Sequence, residues 1–285
     1  MTTLKAALPI PVVVALLAGA ALGQTPSTLQ QPALTTVKNV IYNEMHPSRA
    51  NNVHWKYRLE KTSGAKEETR TVVETQSGSL DRLVALGGQP LSGAQRADET
   101  KRILKFAHNP DEQRKAEEAR RKDAAQCDSF LKMIPDAFLF EYAGENGTAV
   151  KLSFKPNPRF QAPSREGRVL QQMAGEMWVD GRQQRLISIS GRLMNDVKFG
   201  GGFLGHLEKG GEFKVKRAEV APGDWELTEL TVNMQGKALL FKSIAVQQKE
   251  VHSNFDRMPD EFTLADAANV LLKQTLVAAK EVPLH

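Results

Sequence analysis

A chain of 285 residues, 41% of them hydrophobic and 25% charged, can bury a real core, as one large domain or two small ones. Its formal net charge of +5 is mild and dispersed, which argues against nucleic acid and leaves attraction to anionic envelope surfaces as the sharpest electrostatic role. The single cysteine, Cys127, excludes an internal disulfide framework, and its charged helical surroundings suggest a partly buried small apolar side chain.

The first residues read as an export signal. Lys5 supplies a short positive start, and residues 6–22, "AALPIPVVVALLAGAAL", run apolar. Ala21 and Gly23 are small residues at −3 and −1 before Gln24, the pattern of a cleavage site. Pro9 and Pro11 and the shortness of the run argue against a membrane anchor. The expectation is a signal peptide over 1–23, with a periplasmic or secreted product whose net charge is +5 less that of Lys5, or +4. No cysteine follows the cleavage site, so no acylation is expected there, and no later segment is apolar enough to cross a membrane.

Residues 24–33, "QTPSTLQQPA", are polar and proline-bearing, the composition of a flexible leader. Leu34, Val37, Val40, Ile41 and Met45 then recur at helical spacing. After His46-Pro47 the period becomes two: Trp55, Tyr57 and Leu59 alternate with Lys56, Arg58 and Glu60 as in a half-buried strand. Strands follow near 70–74 and 82–86. Residues 94–133 are densely charged and helical in composition, and Asn109-Pro110 divides them into two helices. Most of that insertion must face water, with only Phe130, Leu131 and Ile134 suited to a core.

From Pro135 the chain reads almost entirely as antiparallel strands. "DAFLFEYAG" alternates Phe138, Phe140 and Tyr142, and "TAVKLSFKP" alternates Val150, Leu152 and Phe154. A proline-rich loop and a short helix near 165–172 lead into a meander. In it "RLISISGRLMNDVKF" holds Ile187, Ile189, Leu193, Val197 and Phe199 on one face of a single long strand. The chain ends in an amphipathic helix from about Thr263 to Lys280, with Asp260 or Thr263 as its cap.

One motif demands a decision. "KFGGGFLGHLEKGGEF" contains G-x-G-x-x-G at Gly200, Gly202 and Gly205, with Glu219 downstream. A dinucleotide fingerprint needs a buried parallel strand before it and a long helix after it. Here the preceding strand alternates, and only "HLEK" separates Gly205 from the next glycine pair. A phosphate loop fails too, because Gly211 and Glu212 stand where Lys and Ser or Thr are required. These glycines are expected to bend or bulge a sheet. Six histidines lack metal-binding spacing, no serine sits in a G-x-S-x-G elbow, and pairs such as Glu67-Glu68 and Asp98-Glu99 lie in solvated charge runs. No catalytic residue, metal or cofactor is assigned.

The expected fold is α+β: one half-barrel domain over 34–285, built on a large curved antiparallel sheet left unclosed. Helices cover its concave face, and 94–133 forms a charged helical hairpin insertion. Such a sheet either keeps an apolar cavity open beneath its helices or packs shut on them. The residues expected to line the concavity are Trp55, Tyr57, Phe138, Phe140, Phe154, Trp178, Ile187, Ile189, Leu193 and Phe241. This places Trp178 inside and leaves Met177 and Val179 for the other face.

"GEMWVD…RLISISGRL" with the strands "KGGEFKV", "PGDWELTELTV" and "GKALLFKSI" resembles the periplasmic proteins that sort outer-membrane lipoproteins. The resemblance spans roughly 34–255 and is one of topology more than identity. The chain is also similar to uncharacterised secreted bacterial proteins sharing "PDAFLFEYAGE" and "FKPNPRFQAPSRE". The carrier resemblance implies a concave sheet with a hydrophobic interior that shields acyl chains. The insertion at 94–133 departs from that pattern. Expected partners are a lipid or lipoprotein acyl chain. The alternatives are an envelope protein-interaction or stress-sensor module with a packed interior, and a secreted enzyme with a dispersed site.

Overall fold

The structure, a computed structural model, describes residues 33–46, 53–199, 205–238 and 247–280. The expected signal peptide, the leader up to residue 32, Gly200, Gly202 and Phe241 lie outside the described residues. The fold is α+β, and its centre is an unclosed antiparallel sheet of eleven strands.

Helix α1 (Ala33–Met45) precedes three strands in a meander: β1 (His54–Ser63), β2 (Lys66–Thr75) and β3 (Gly78–Leu86). The two-residue β4 (Gln89–Pro90) leads into α2 (Gly93–Ala107) and α3 (Pro110–Ala137). Strands β5 (Phe138–Asn146) and β6 (Ala149–Pro156), helix α4 (Arg165–Leu170), and β7 (Met173–Asp180) and β8 (Arg185–Leu193) follow. Next come β9 (Val197–Phe199), β10 (Gly205–Leu207), β11 (Glu212–Ala221), β12 (Asp224–Asn233), β13 (Gly236–Ala238), β14 (Gln247–Met258) and α5 (Leu264–Lys280). In space the large sheet runs β4-β3-β2-β1-β14-β12-β11-β8-β7-β6-β5. The last strand of the chain therefore pairs with the first, which stitches the two halves of the sheet together in its middle.

Local chemistry sets the helix ends. Ser92 caps α2 in a reciprocal box with Gln95, each side chain meeting the other's backbone N–H. Asn109 accepts from the N–H groups of Asp111 and Glu112 at the start of α3, where Pro110 fits because a first-turn N–H has no intrahelical partner. Thr263 and Asp266 close a similar box on α5. Helix α3 runs on through Pro135 in its last turn to Ala137, later than composition suggests.

Two faces of the sheet are covered in different places. Helix α1 buries Val37, Val40 and Ile41 on the β5–β8 end, together with Ile134 and Ala137 at the end of α3. That side is the inner face. On the opposite face at the other end, α5 packs Leu264, Ala267, Ala268 and Leu271 against Val73 and Leu80, with Ile103 of α2. Register separates the two: Val73 faces Leu80, whereas Val72 faces Tyr57 and Asp81 on the reverse side. The 28 residues of α3, about 42 Å at 1.5 Å each, touch α2 and β3 on one side and β5, α1 and α4 on the other. None of the described helices is long and apolar enough to cross a membrane.

Two sequence expectations need correction. The single long strand expected over 185–199 breaks at 194–196. There Met194 donates its N–H to Gln172, and the Asp196 side chain accepts from the Lys209 N–H. These bonds turn the chain out of the large sheet, and β9 joins β10 and β13 in a separate three-stranded sheet. Cys127 is exposed on α3 rather than partly buried. Gly205 opens a strand at φ 133°, and a strand rather than a helix follows it, so the described part of the glycine motif belongs to a sheet.

Candidate functional site

Strand register lays one continuous row across the inner face. Leu152, Met177, Ile189, Val215 and Leu230 stand opposite one another on β6, β7, β8, β11 and β12. The row then changes character, passing to Glu250 on β14, Lys61 on β1 and Glu68 on β2. Burial falls along it. Leu152 and Met177 are each 1% exposed under α1, while Ile189, Val215 and Leu230 are half-buried. Helix α1 touches β5 and β8, so the apolar floor continues past its cover.

A parallel row holds Phe140, Phe154, Gly175, Gly191, Phe213 and Val232. The glycines make room for the rings. A Cβ on Gly175 would lie 2.8 Å from Phe154 Cζ and 2.7 Å from the Gly191 Cα. One on Gly191 would meet Phe213 Cε1 at 2.6 Å. Phe138, Phe140 and Phe154 form one ring cluster, with Phe138 and Phe154 centroids 4.7 Å apart.

Each residue expected to line a concavity now has a place. Phe138, Phe140, Phe154, Ile189 and Leu193 lie on the inner face; of these Leu193 is fully buried and Ile189 is reached from outside. Ile187 sits half-buried at the bulge between β7 and β8. Trp178 reverses the expected parity. It points away from the inner face with the Lys151 ammonium over its ring, while Met177 and Val179 are the buried neighbours. Phe241 is outside the described residues.

Trp55 and Tyr57 come together with groups that sequence reasoning missed. They stand where β12 and β14 cease to pair beyond Glu229 and Val251. Trp55 is 4% exposed; its backbone N–H donates to Glu74 and its indole N–H to Glu226, both at 3.1 Å. Tyr57 stacks on His252 and Phe255, with centroids 5.0 and 5.4 Å away. Nearby Glu44 of α1 binds two guanidiniums, Arg185 at 3.0 Å and Arg217. Glu44 and Glu226 thus share two arginines, while the charged neighbour of Glu74 is another carboxylate, Glu226.

The electrostatics follow from that imbalance. Burial pushes the Glu74 carboxyl up to about 7, with the Glu226 charge adding to it and the Trp55 N–H opposing. Burial also raises Glu226, against the pull of Arg217. Tyr57 is raised strongly by burial and by the carboxylates around it, so it stays a neutral phenol. Glu250 goes the other way: His252 beside it and Lys61 at 2.7 Å hold it at about 2 despite its burial.

The missed residues carry weak signals. Val215 and Leu230 are ordinary alternating strand residues. Glu74 and Glu226 look like the solvent-side members of strands, and only the packing of β1 between β2 and β14 draws them in. A hollow of about 440 Å³ lies on the opposite face, over the Gly175–Gly191 contact. It is rimmed by Ser190, Arg192, Glu212, Lys214 and Glu229. Among the described residues, no group of three or more His, Cys, Asp or Glu side chains is placed to hold a metal ion. Comparison with protein-family models and with curated proteins yields no match.

Proposed function

We propose that the protein is an exported, carrier-like binder of a lipid or lipoprotein acyl chain, acting in the periplasm. The observation that carries this reading is the row Ile189–Val215–Leu230, an apolar floor that runs on from the core into half-exposed positions. An acyl chain laid there gains about 0.8 kcal/mol for each CH₂ removed from water. The same row ends in Glu250 and Lys61, polar groups suited to the head of an amphipathic ligand.

The test is lipid extraction and mass spectrometry on natively purified protein, followed by uptake of a fluorescent acyl probe. Near-stoichiometric lipid that is lost in Ile189→Asp and in the milder Leu230→Asn supports the carrier. Lipid-free protein that also refuses the probe refutes it. A second reading, a protein-interaction module, draws on α3, whose residues 114–129 are exposed apart from Glu117. On that reading, reversing the charges of Arg120, Arg121 and Lys122 abolishes partner capture and leaves probe uptake unchanged.

A further inference from the structure

The hollow of about 440 Å³ lies on the face of the sheet opposite the apolar row. Short side chains at Ala174, Ser190 and Thr231 leave its space, and longer ones border it. Strand register sets the polar groups in rows. Ser190, Lys214, Thr231 and Lys249 stand opposite one another on β8, β11, β12 and β14. Beside that row Lys216 faces Glu229, and on its other side Glu212 faces both Arg192 and Asn233. Ser190, Lys214 and Thr231 are half-buried, and Lys249 is exposed.

The carboxylates around the hollow are already held. Glu229 bonds Lys216 at 2.6 Å, Glu212 bonds Arg192, and Glu176, across from Ser190, bonds Lys151 at 2.7 Å. Among the described residues no carboxylate lies within ion-pair distance of Lys214 or Lys249. Glu67, the next acid in the Lys249 row, is two strands away from it. The bond from Lys216 and the charges of Lys216, Lys214 and Lys249 together hold the Glu229 carboxyl below its usual range. Three ammoniums therefore converge on one carboxylate and leave an excess of two positive charges. The hydroxyls of Ser190 and Thr231 and the Asn233 amide make no side-chain hydrogen bond among the described residues. Uncommitted donors of this kind suit an anion with several oxygens.

We propose that this hollow binds a phosphate ester carried on a small polyol. The phosphate lies over Thr231, between the Lys214 and Lys249 ammoniums that stand on either side of it. The polyol fills the rest of the hollow, within reach of Ser190 and Asn233, which also line it. The volume falls in the range of small-molecule sites, roughly 300–1,000 Å³, and leaves room beyond a bare phosphate ion. Glycerol phosphate, sugar phosphates and the headgroups of anionic phospholipids share this chemistry. The site is on the other side of the sheet from Ile189, so it stands whether or not that row takes an acyl chain.

Isothermal titration calorimetry of the natively purified protein with glycerol 3-phosphate tests the site, with glycerol and inorganic phosphate as controls. The ester binds about tenfold more tightly than either control. Lys214→Gln and Lys249→Gln each weaken it about tenfold, while Lys214→Arg keeps it. Glu229→Gln removes the competing carboxylate, frees Lys216 and tightens binding several-fold, an effect that a purely structural role for these residues does not produce. The substituted side chains all reach solvent, so far-ultraviolet circular dichroism stays unchanged. Flotation with phosphatidylglycerol vesicles, against phosphatidylcholine, separates the sources. Vesicle binding that Lys214→Gln abolishes assigns the site to a lipid headgroup, and ester binding without vesicle binding assigns it to a soluble ester. Failure to bind both ester and vesicles overturns the proposal. So does binding indifferent to Lys214→Gln or to Glu229→Gln, or inorganic phosphate bound as tightly as the ester.

Discussion

Gly175 and Gly191 face each other on β7 and β8, and neither is there for backbone freedom. Each leaves a space that a phenylalanine ring fills, and a methyl on Gly175 would also strike the Ser190 carbonyl. Gly175→Ala should therefore destabilise by about 1–3 kcal/mol, although Ala normally suits a strand better than Gly; urea denaturation measures it. Glu74 makes a second prediction at this scale. Its folded value of about 7 lies above the ordinary 4.5, so the folded state binds its proton more tightly. Its contribution is complete below pH 4.5 and is lost as the pH rises through 7. Glu226 is shifted in the same sense. Glu250 opposes them at the acid end, where its contribution falls away as the pH drops through about 2. Glu74→Gln keeps an acceptor for the Trp55 N–H and removes the proton. The wild-type chain should lose about 2 kcal/mol between pH 5 and 8 that the variant retains, read from urea midpoints at the two values. Equal losses would show that Glu74 is not the titrating group.

At the scale of the element, α1 depends on one side chain. The Glu44 side chain is 6% exposed and joins α1 to Arg185 and Arg217, which come from different strands. Glu44→Gln removes the carboxylate that bonds both guanidiniums and leaves them only the charge of Glu226, at a cost of roughly 3 kcal/mol. The loss should fall first on α1, as faster amide exchange over 37–45 than in β6 and β7. Helix α3 presents the opposite case. It is polar on all sides over its middle turns and is held at its ends, by α2 and β3 and by β5, α1 and α4. Amides of residues 114–129 should exchange faster than those of β6 and β7, because few packed contacts oppose local opening. Protection equal to the strands would mean that a partner covers the helix.

At the scale of the whole molecule, the order of strands creates the candidate site. Strand β14 returns to lie between β1 and β12, so one face joins an apolar half from β6–β12 to a charged half from β14, β1 and β2. Neither half is complete in any one segment. Ile189→Asp should cost far more in acyl-probe uptake than in fold, because Ile189 is half-buried where Met177, its neighbour in the row, is sealed. The comparison variant Met177→Asp should fail to fold.

The sequence by itself determined most of the elements: alternation marked the long strands, Asn109-Pro110 marked the division between α2 and α3, and Asp260 or Thr263 marked the start of α5. Such signals are local, set by side-chain period and by capping groups within a few residues. Fold class followed, because long alternating strands joined by tight turns pair in sequence order. Parity at Trp178 did not follow, since Met177, Trp178 and Val179 are all apolar and only the position of α1 decides which of them is covered. Nor did the pairing of Glu74 and Glu226 with Trp55, or of Glu44 with Arg185 and Arg217. Residues up to 173 positions apart in the chain have no local reason to meet. Only the tertiary structure, by pairing the first long strand with the last and seating α1 at one end, brought those charges out of water and left the neighbouring apolar row half open.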